Sequence, residues 1–82
     1  MQTISGVVTE TDMITPDITI KYFDKVQNKE AELNLIVPEN TVIVGNSGDI
    51  LFNAIQPLDE VKIEYYSNPQ GLFVIKLYDL MK

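Results

Sequence analysis

Apolar and polar residues alternate along most of this chain, and the alternation has the period of a β-strand. The cleanest stretch is residues 30–37, where Ala31, Leu33, Leu35 and Val37 share one face and Glu30, Glu32 and Asn34 the other. That is the signature of a half-buried strand. Residues 17–24 repeat it, with Ile18, Ile20 and Tyr22 on one face and Thr19, Lys21 and Phe23 opposite. Residues 60–66 do so again: Val61, Ile63 and Tyr65 point inward, Lys62, Glu64 and Tyr66 outward. Residues 3–11, rich in Thr, Val and Ile, and the short run 41–44 complete the strands before residue 60. A last strand spans 72–80. Leu72 to Ile75 are all apolar, which predicts a bulge or two-sided burial and leaves the register of Tyr78 open.

Turn-forming residues separate these runs. Asp12 to Pro16, Lys25 to Lys29, Pro38-Glu39-Asn40, Gly45 to Gly48, Gln56 to Asp59 and Ser67 to Gly71 all break the alternation. Between residues 49 and 55 the apolar positions Ile50, Leu51, Ala54 and Ile55 suit one to two helical turns, capped by Ser47 or Asp49. A strand is the alternative reading there. The sum is about six strands and one short helical turn in a single domain, residues 1–82. A small antiparallel barrel is the predicted fold, because closure removes exposed sheet edges.

Several short segments carry a likeness. The chain shows Ser5-Gly6-Val7-Val8 with Asp12, then Ile18-Thr19-Ile20. It continues with Val37-Pro38-Glu39-Asn40-Thr41-Val42-Ile43 and Gln56-Pro57-Leu58-Asp59-Glu60-Val61-Lys62-Ile63-Glu64-Tyr65. In these it resembles small OB-like β-barrel domains of unknown function in bacterial proteins, several of them exported or envelope-associated. The resemblance implies a barrel and brings no catalytic residue. Leu58 stands where that family usually has Gly. A turn with positive φ strains a Leu, so this turn is expected to differ.

Composition narrows the chemistry. The 82 residues include no Cys, His, Trp or Arg, and six lysines face twelve carboxylates, for a net charge of −6. Such a surface repels phosphate backbones, so nucleic acid is not an expected partner. It also lacks a basic anchor for anionic lipid. No apolar run approaches the roughly 20 residues of a membrane helix, so membrane insertion is not expected. The first residues lack a charged leader pattern. The chain therefore reads as cytoplasmic as it stands, or as periplasmic or envelope-associated if a leader has been removed.

Without His or Cys, the commonest base and the strongest nucleophile are missing. Ser5, Ser47 and Ser67 lie at strand starts or turns, where Ser makes turn hydrogen bonds. Asp59-Glu60 and the trio Glu10, Asp12 and Asp17 are the candidate acid–base or cation-binding carboxylates. Neither has the spacing of a calcium loop, and a solvated acidic face is the simpler reading. Gly45-Asn46-Ser47-Gly48-Asp49 lacks the lysine of a phosphate loop. No catalytic residue, metal or cofactor is therefore assigned.

The aromatics remain. Phe23 and Tyr66 are expected to point outward, and with Tyr78 they form the candidate ligand-binding set. Outward rings on an OB-like sheet can stack on sugars or peptides, with bases disfavoured by the charge, and ordinary cross-strand pairing of aromatics is the simpler reading. The sequence thus predicts a non-enzymatic interaction or structural module. The alternative is an OB-like barrel that binds a saccharide or peptide through exposed aromatics.

Overall fold

The computed structural model describes residues 1–82 throughout. Seven strands form: β1 Gln2–Asp12, β2 Asp17–Asp24, β3 Lys29–Ile36, β4 Val42–Gly45, β5 Gly48–Asp49, β6 Glu60–Asn68 and β7 Gly71–Asp79. Five of them close into a barrel. β1 pairs with both β2 and β6, β2 with β3, β6 with β7, and β3 meets β7 at Ile36 and Phe73. β4 and β5 extend the sheet beyond β7. This is the OB-like order, with the barrel held by one long, shared first strand.

β1 changes partner along its length. Gln2 to Val7 lie against β6, and Val7 to Asp12 lie against β2. A register shift between Val8 and Glu10 bends the strand at the crossing. Gly6 lies two residues before that shift, where a Cβ would stand 2.6 Å from the backbone oxygen of Lys21. Only Gly lets β2 approach so closely.

The core is what the alternation selects. Ile18, Ile20, Leu35, Val61 and Ile63 are fully buried, with Val8, Leu77 and Val74 beside them. Leu33 is half-buried against this cluster. The predicted bulge in the last strand is present. Glu64 opposes Lys76 and Tyr65 opposes Val74, so Ile75 is the extra residue. Strict alternation from Val74 would have buried Lys76. The bulge keeps Lys76 on the outer face and turns Leu77 and Asp79 inward.

Three details differ from the sequence reading. The barrel is not wholly antiparallel: β3–β7 and β4–β7 run parallel. Residues 49–55 form neither a capped helix nor a full strand. Asp49 ends the two-residue β5, and a single 3-10 turn follows at Phe52–Ala54, with Leu51 preceding it and no side-chain cap. Too few residues separate β5 from the buried Ile55 for a longer helix. The third is the Leu58 turn. It keeps the left-handed geometry, with φ of 78° at Leu58. Its backbone is fixed on both sides: Leu58 N donates to Val8 O at 2.8 Å, and Val8 N donates to Asp59 O at 2.9 Å.

Candidate functional site

The bulge in β7 decides which side chains line the outer face of the β6–β7 ladder. Three cross-strand pairs stand there in register: Lys62 with Tyr78, Glu64 with Lys76, and Tyr66 with Phe73. The Tyr66 and Phe73 rings stack with centroids 5.5 Å apart and planes 17° from parallel. Such pairs add about 0.5–1.5 kcal/mol beyond area burial. Tyr66 stays 42% exposed even so. Tyr78 lies between two ammonium groups, 4.8 Å from Lys76 Nζ and 5.9 Å from Lys62 Nζ to the ring centroid. Its hydroxyl donates to Glu64 Oε2 at 3.5 Å. β4 prolongs the face sideways, with Val42 beside Lys76 and Val44 beside Tyr78.

The three sequence candidates are therefore placed as follows. Tyr66 and Tyr78 share this ladder face, four residues apart in the register of β6 (Tyr66 against the Lys62 that faces Tyr78). Phe23 is 55% exposed but sits at the tip of the β2–β3 hairpin, opposite Glu30. From Glu30 to Ile36, where β3 reaches Phe73, is six residues, roughly 20 Å of strand. The chain's aromatic stack is Tyr66–Phe73, and Phe23 takes no part in it. Phe73 was not singled out by the sequence, since it lies in the all-apolar run before the bulge.

A second cluster joins Asp59, one of the carboxylates the sequence singles out, to Asp79, which it does not. Asp59, at the turn before β6, and Asp79, at the end of β7, are 7% and 1% exposed. Asp59 accepts from Lys82 Nζ at 3.0 Å and from the Gln56 amide at 3.2 Å. Asp79 Oδ1 accepts from the Met81 amide at 2.8 Å, while its buried Oδ2 has no hydrogen-bond partner. Burial, and then the neighbouring Asp59, push the Asp79 carboxyl above the ordinary range. Burial alone would raise Asp59 too. The neighbouring Asp79 carboxyl, the Lys82 ammonium and the Gln56 amide outweigh it and hold Asp59 below the ordinary range. The two shifts run in opposite directions, so Asp79 is the carboxyl of the pair that keeps its proton to higher pH.

These carboxylates line none of the surface cavities. The other acidic candidates do not converge. Glu60 is exposed, Asp12 faces Asp17 across β1 and β2, and Glu10 faces Thr19. No three carboxylates gather in a metal-binding arrangement. The Gly45–Asp49 segment forms the β4–β5 turn.

Comparison with known proteins gives neighbours by shape alone. No family model matches the chain, and no curated protein matches its sequence. Three solved structures of CusF superpose on it. A variant of Escherichia coli CusF with Cu(II) does so with a TM-score of 0.71 and 16% identity, over 95% of this chain and 89% of that one. CusF with Ag(I) gives 0.70 and 19%, over 98% and 100%. Apo-CusF from Escherichia coli gives 0.67 and 19%, over 96% and 88%. At that identity the likeness is one of fold: this chain is a small OB-like β-barrel of the same architecture as CusF.

Proposed function

We propose that the chain is a non-enzymatic binding module, and that it engages a peptide segment of a protein partner through the outer face of β6 and β7. The observation that carries this is the exposed Tyr66–Phe73 stack continuing into the lysine-flanked ring of Tyr78. Aromatic rings that keep one apolar side in water, beside alternating charge, are the usual anchors of interaction surfaces. The missing catalytic inventory and the enclosed carboxyl pair favour binding over chemistry.

A peptide fits this face better than a saccharide. Tyr66 and Phe73 spend one ring face each on the other, and Tyr78 is already engaged by Lys62 and Lys76. The copper and silver of the CusF structures do not carry over by donor chemistry. Soft ions seek thiolate, thioether or imidazole ligands, and here only Met1, Met13 and Met81 qualify. Met1 and Met13 flank opposite ends of the eleven-residue β1.

The test is a peptide display library and a saccharide array, both screened on immobilised protein. Peptides that bind the native chain and lose binding with the Tyr66→Ser, Phe73→Ser double variant support the proposal. Binders indifferent to that variant, or hits confined to saccharides, would overturn it.

A further inference from the structure

A different surface lies at the end of the barrel where the β1–β2 loop, the β3–β4 loop and the segment after β5 meet. A groove of about 290 Å³ opens there. Its floor and walls are apolar: Met13, Val37, Ile43, Ile50, Leu51 and Phe52. The side chains at its mouth are left in water. Leu51 is 73% exposed and Met13 49%, and Ile14, next to Met13 at the loop tip, is 94% exposed. Single exposed apolar residues are ordinary, but three bordering one apolar groove are the mark of a contact surface.

The loops are ordered by their own backbone. Asp12 Oδ1 accepts from the amides of Ile14 and Thr15 at 2.8 and 3.4 Å. Val37 N donates to Pro16 O, Thr41 N to Pro38 O and Ile50 N to Ile43 O, all at 3.0–3.1 Å. Ile14 and Leu51 are thus held outward by fixed turns.

The one charged residue in the groove lining is acidic. Glu39 lines it, Asp12 and Asp17 bracket the Met13–Pro16 loop, and Asp49 precedes Ile50. None of the four is in an ion pair, since the chain's two pairs are Lys21–Glu30 and Lys82–Asp59. No lysine occurs between residues 30 and 61, and none lines the groove. Asp49 lines a neighbouring cavity with Val42, which pairs with Lys76 of β7, so the nearest lysine lies on that side and not at the groove. Glu39 in the lining and Asp12 and Asp17 at the ends of the adjoining loop make the rim acidic, and their fields reach the opening because the Debye length at about 0.1 M salt is near 10 Å.

We infer that this groove is a second docking site, independent of the aromatic ladder, for an extended peptide whose apolar residues are flanked by Lys or Arg. The apolar groove takes the side chains and the acidic rim takes the flanking cations. A second copy of this chain is a poor occupant, since it brings a net charge of −6 to the same rim. An anionic membrane or a nucleic acid is repelled for the same reason.

The test uses the 15N-labelled native chain and a blocked heptapeptide with two lysines, a central Leu-Phe-Leu and two more lysines. One control peptide replaces the lysines with glutamate, and the other replaces the centre with serine. Amide shifts are expected at residues 13–15, 39–43 and 50–52. Leu51→Ser should weaken binding roughly tenfold, as expected for one buried aliphatic contact. Glu39→Lys should weaken it about threefold or more, with affinity falling as salt is raised. Both positions are exposed, so neither variant threatens the fold. Both controls should fail to bind. Equal binding of either control, indifference to Leu51→Ser, or no shifts at millimolar peptide would overturn the inference. Shifts at these residues that depend on protein concentration alone would put a second copy there instead, and overturn it equally. Shifts confined to residues 62–66 and 73–78 would overturn the groove while leaving the ladder proposal standing.

Discussion

Leu58 occupies a backbone conformation that L-residues avoid, and replacing it with glycine should stabilise the barrel. Its φ of 78° places Cβ against the neighbouring carbonyl, a conflict worth about 1–2 kcal/mol. Glycine removes that conflict. It also frees the unfolded chain, which returns roughly 0.5–1 kcal/mol to the other side. Little burial is lost, because Leu58 is 80% exposed. The turn cannot relax the strain by moving, since the backbone groups of Leu58 and Asp59 are both bonded to Val8. Leu58→Gly should therefore add about 0.5–1 kcal/mol of stability, a rise of roughly 2–8 °C in Tm for a domain of this size. Leu58→Ala keeps its Cβ and should leave Tm nearly unchanged. Asn28, the other non-glycine residue with positive φ at 56°, is of a type that tolerates this region, so Asn28→Gly should gain less. Thermal and urea melts of the three variants give the comparison. A loss of stability in Leu58→Gly, or an equal gain in Leu58→Ala, would refute the strain argument.

Core and pair make further predictions. Ile63→Ala should cost about 2–5 kcal/mol, and Leu33→Ala less, because Ile63 is fully buried and Leu33 only half so; urea denaturation gives both values. Gly6→Ala should destabilise by about 1–3 kcal/mol, since its Cβ meets the Lys21 backbone oxygen at 2.6 Å and neither strand has room to yield; the same denaturation series measures it. The carboxyl pair makes stability depend on pH with two opposite signs. Asp79 is raised, so its contribution is present below the ordinary carboxylate range and is lost as pH rises through its folded value. Asp59 is lowered, so its contribution is present above that range and is lost as pH falls through its folded value. Asp79→Asn removes the first effect. Melts across pH should show its alkaline-side decline flattened, and a destabilisation beyond about 2 kcal/mol at neutral pH, the scale of an unmet buried group, would count against a protonated Asp79.

The alternation in residues 17–24, 30–37 and 60–66 reveals inside and outside because a half-buried strand has only two faces. It therefore places Ile18, Ile20, Leu35, Val61 and Ile63 correctly in the core. It does not reveal neighbours. That Tyr66 stacks on Phe73, or that β4 runs parallel beside β7, depends on which strands meet. The Asp79 side chain was hidden for a related reason. The sequence suggests a bulge in the last strand but not its position, and the bulge at Ile75 is what turns Asp79 inward toward Asp59. At Leu58 residue preference pointed the wrong way. Two backbone bonds to Val8 hold the left-handed turn against the local preference of a leucine.

A partner seated on the outer β6–β7 face is read directly by a chemical-shift map. A peptide selected on the native chain is titrated into the 15N-labelled protein, and the perturbed amides are placed on the sheet. The largest shifts are expected at Glu64 to Tyr66 and Phe73 to Tyr78, with β2 and β3 around Phe23 and Glu30 unmoved. Shifts centred on Phe23 at the hairpin tip, with Tyr66 and Phe73 silent, would contradict that placement of the partner.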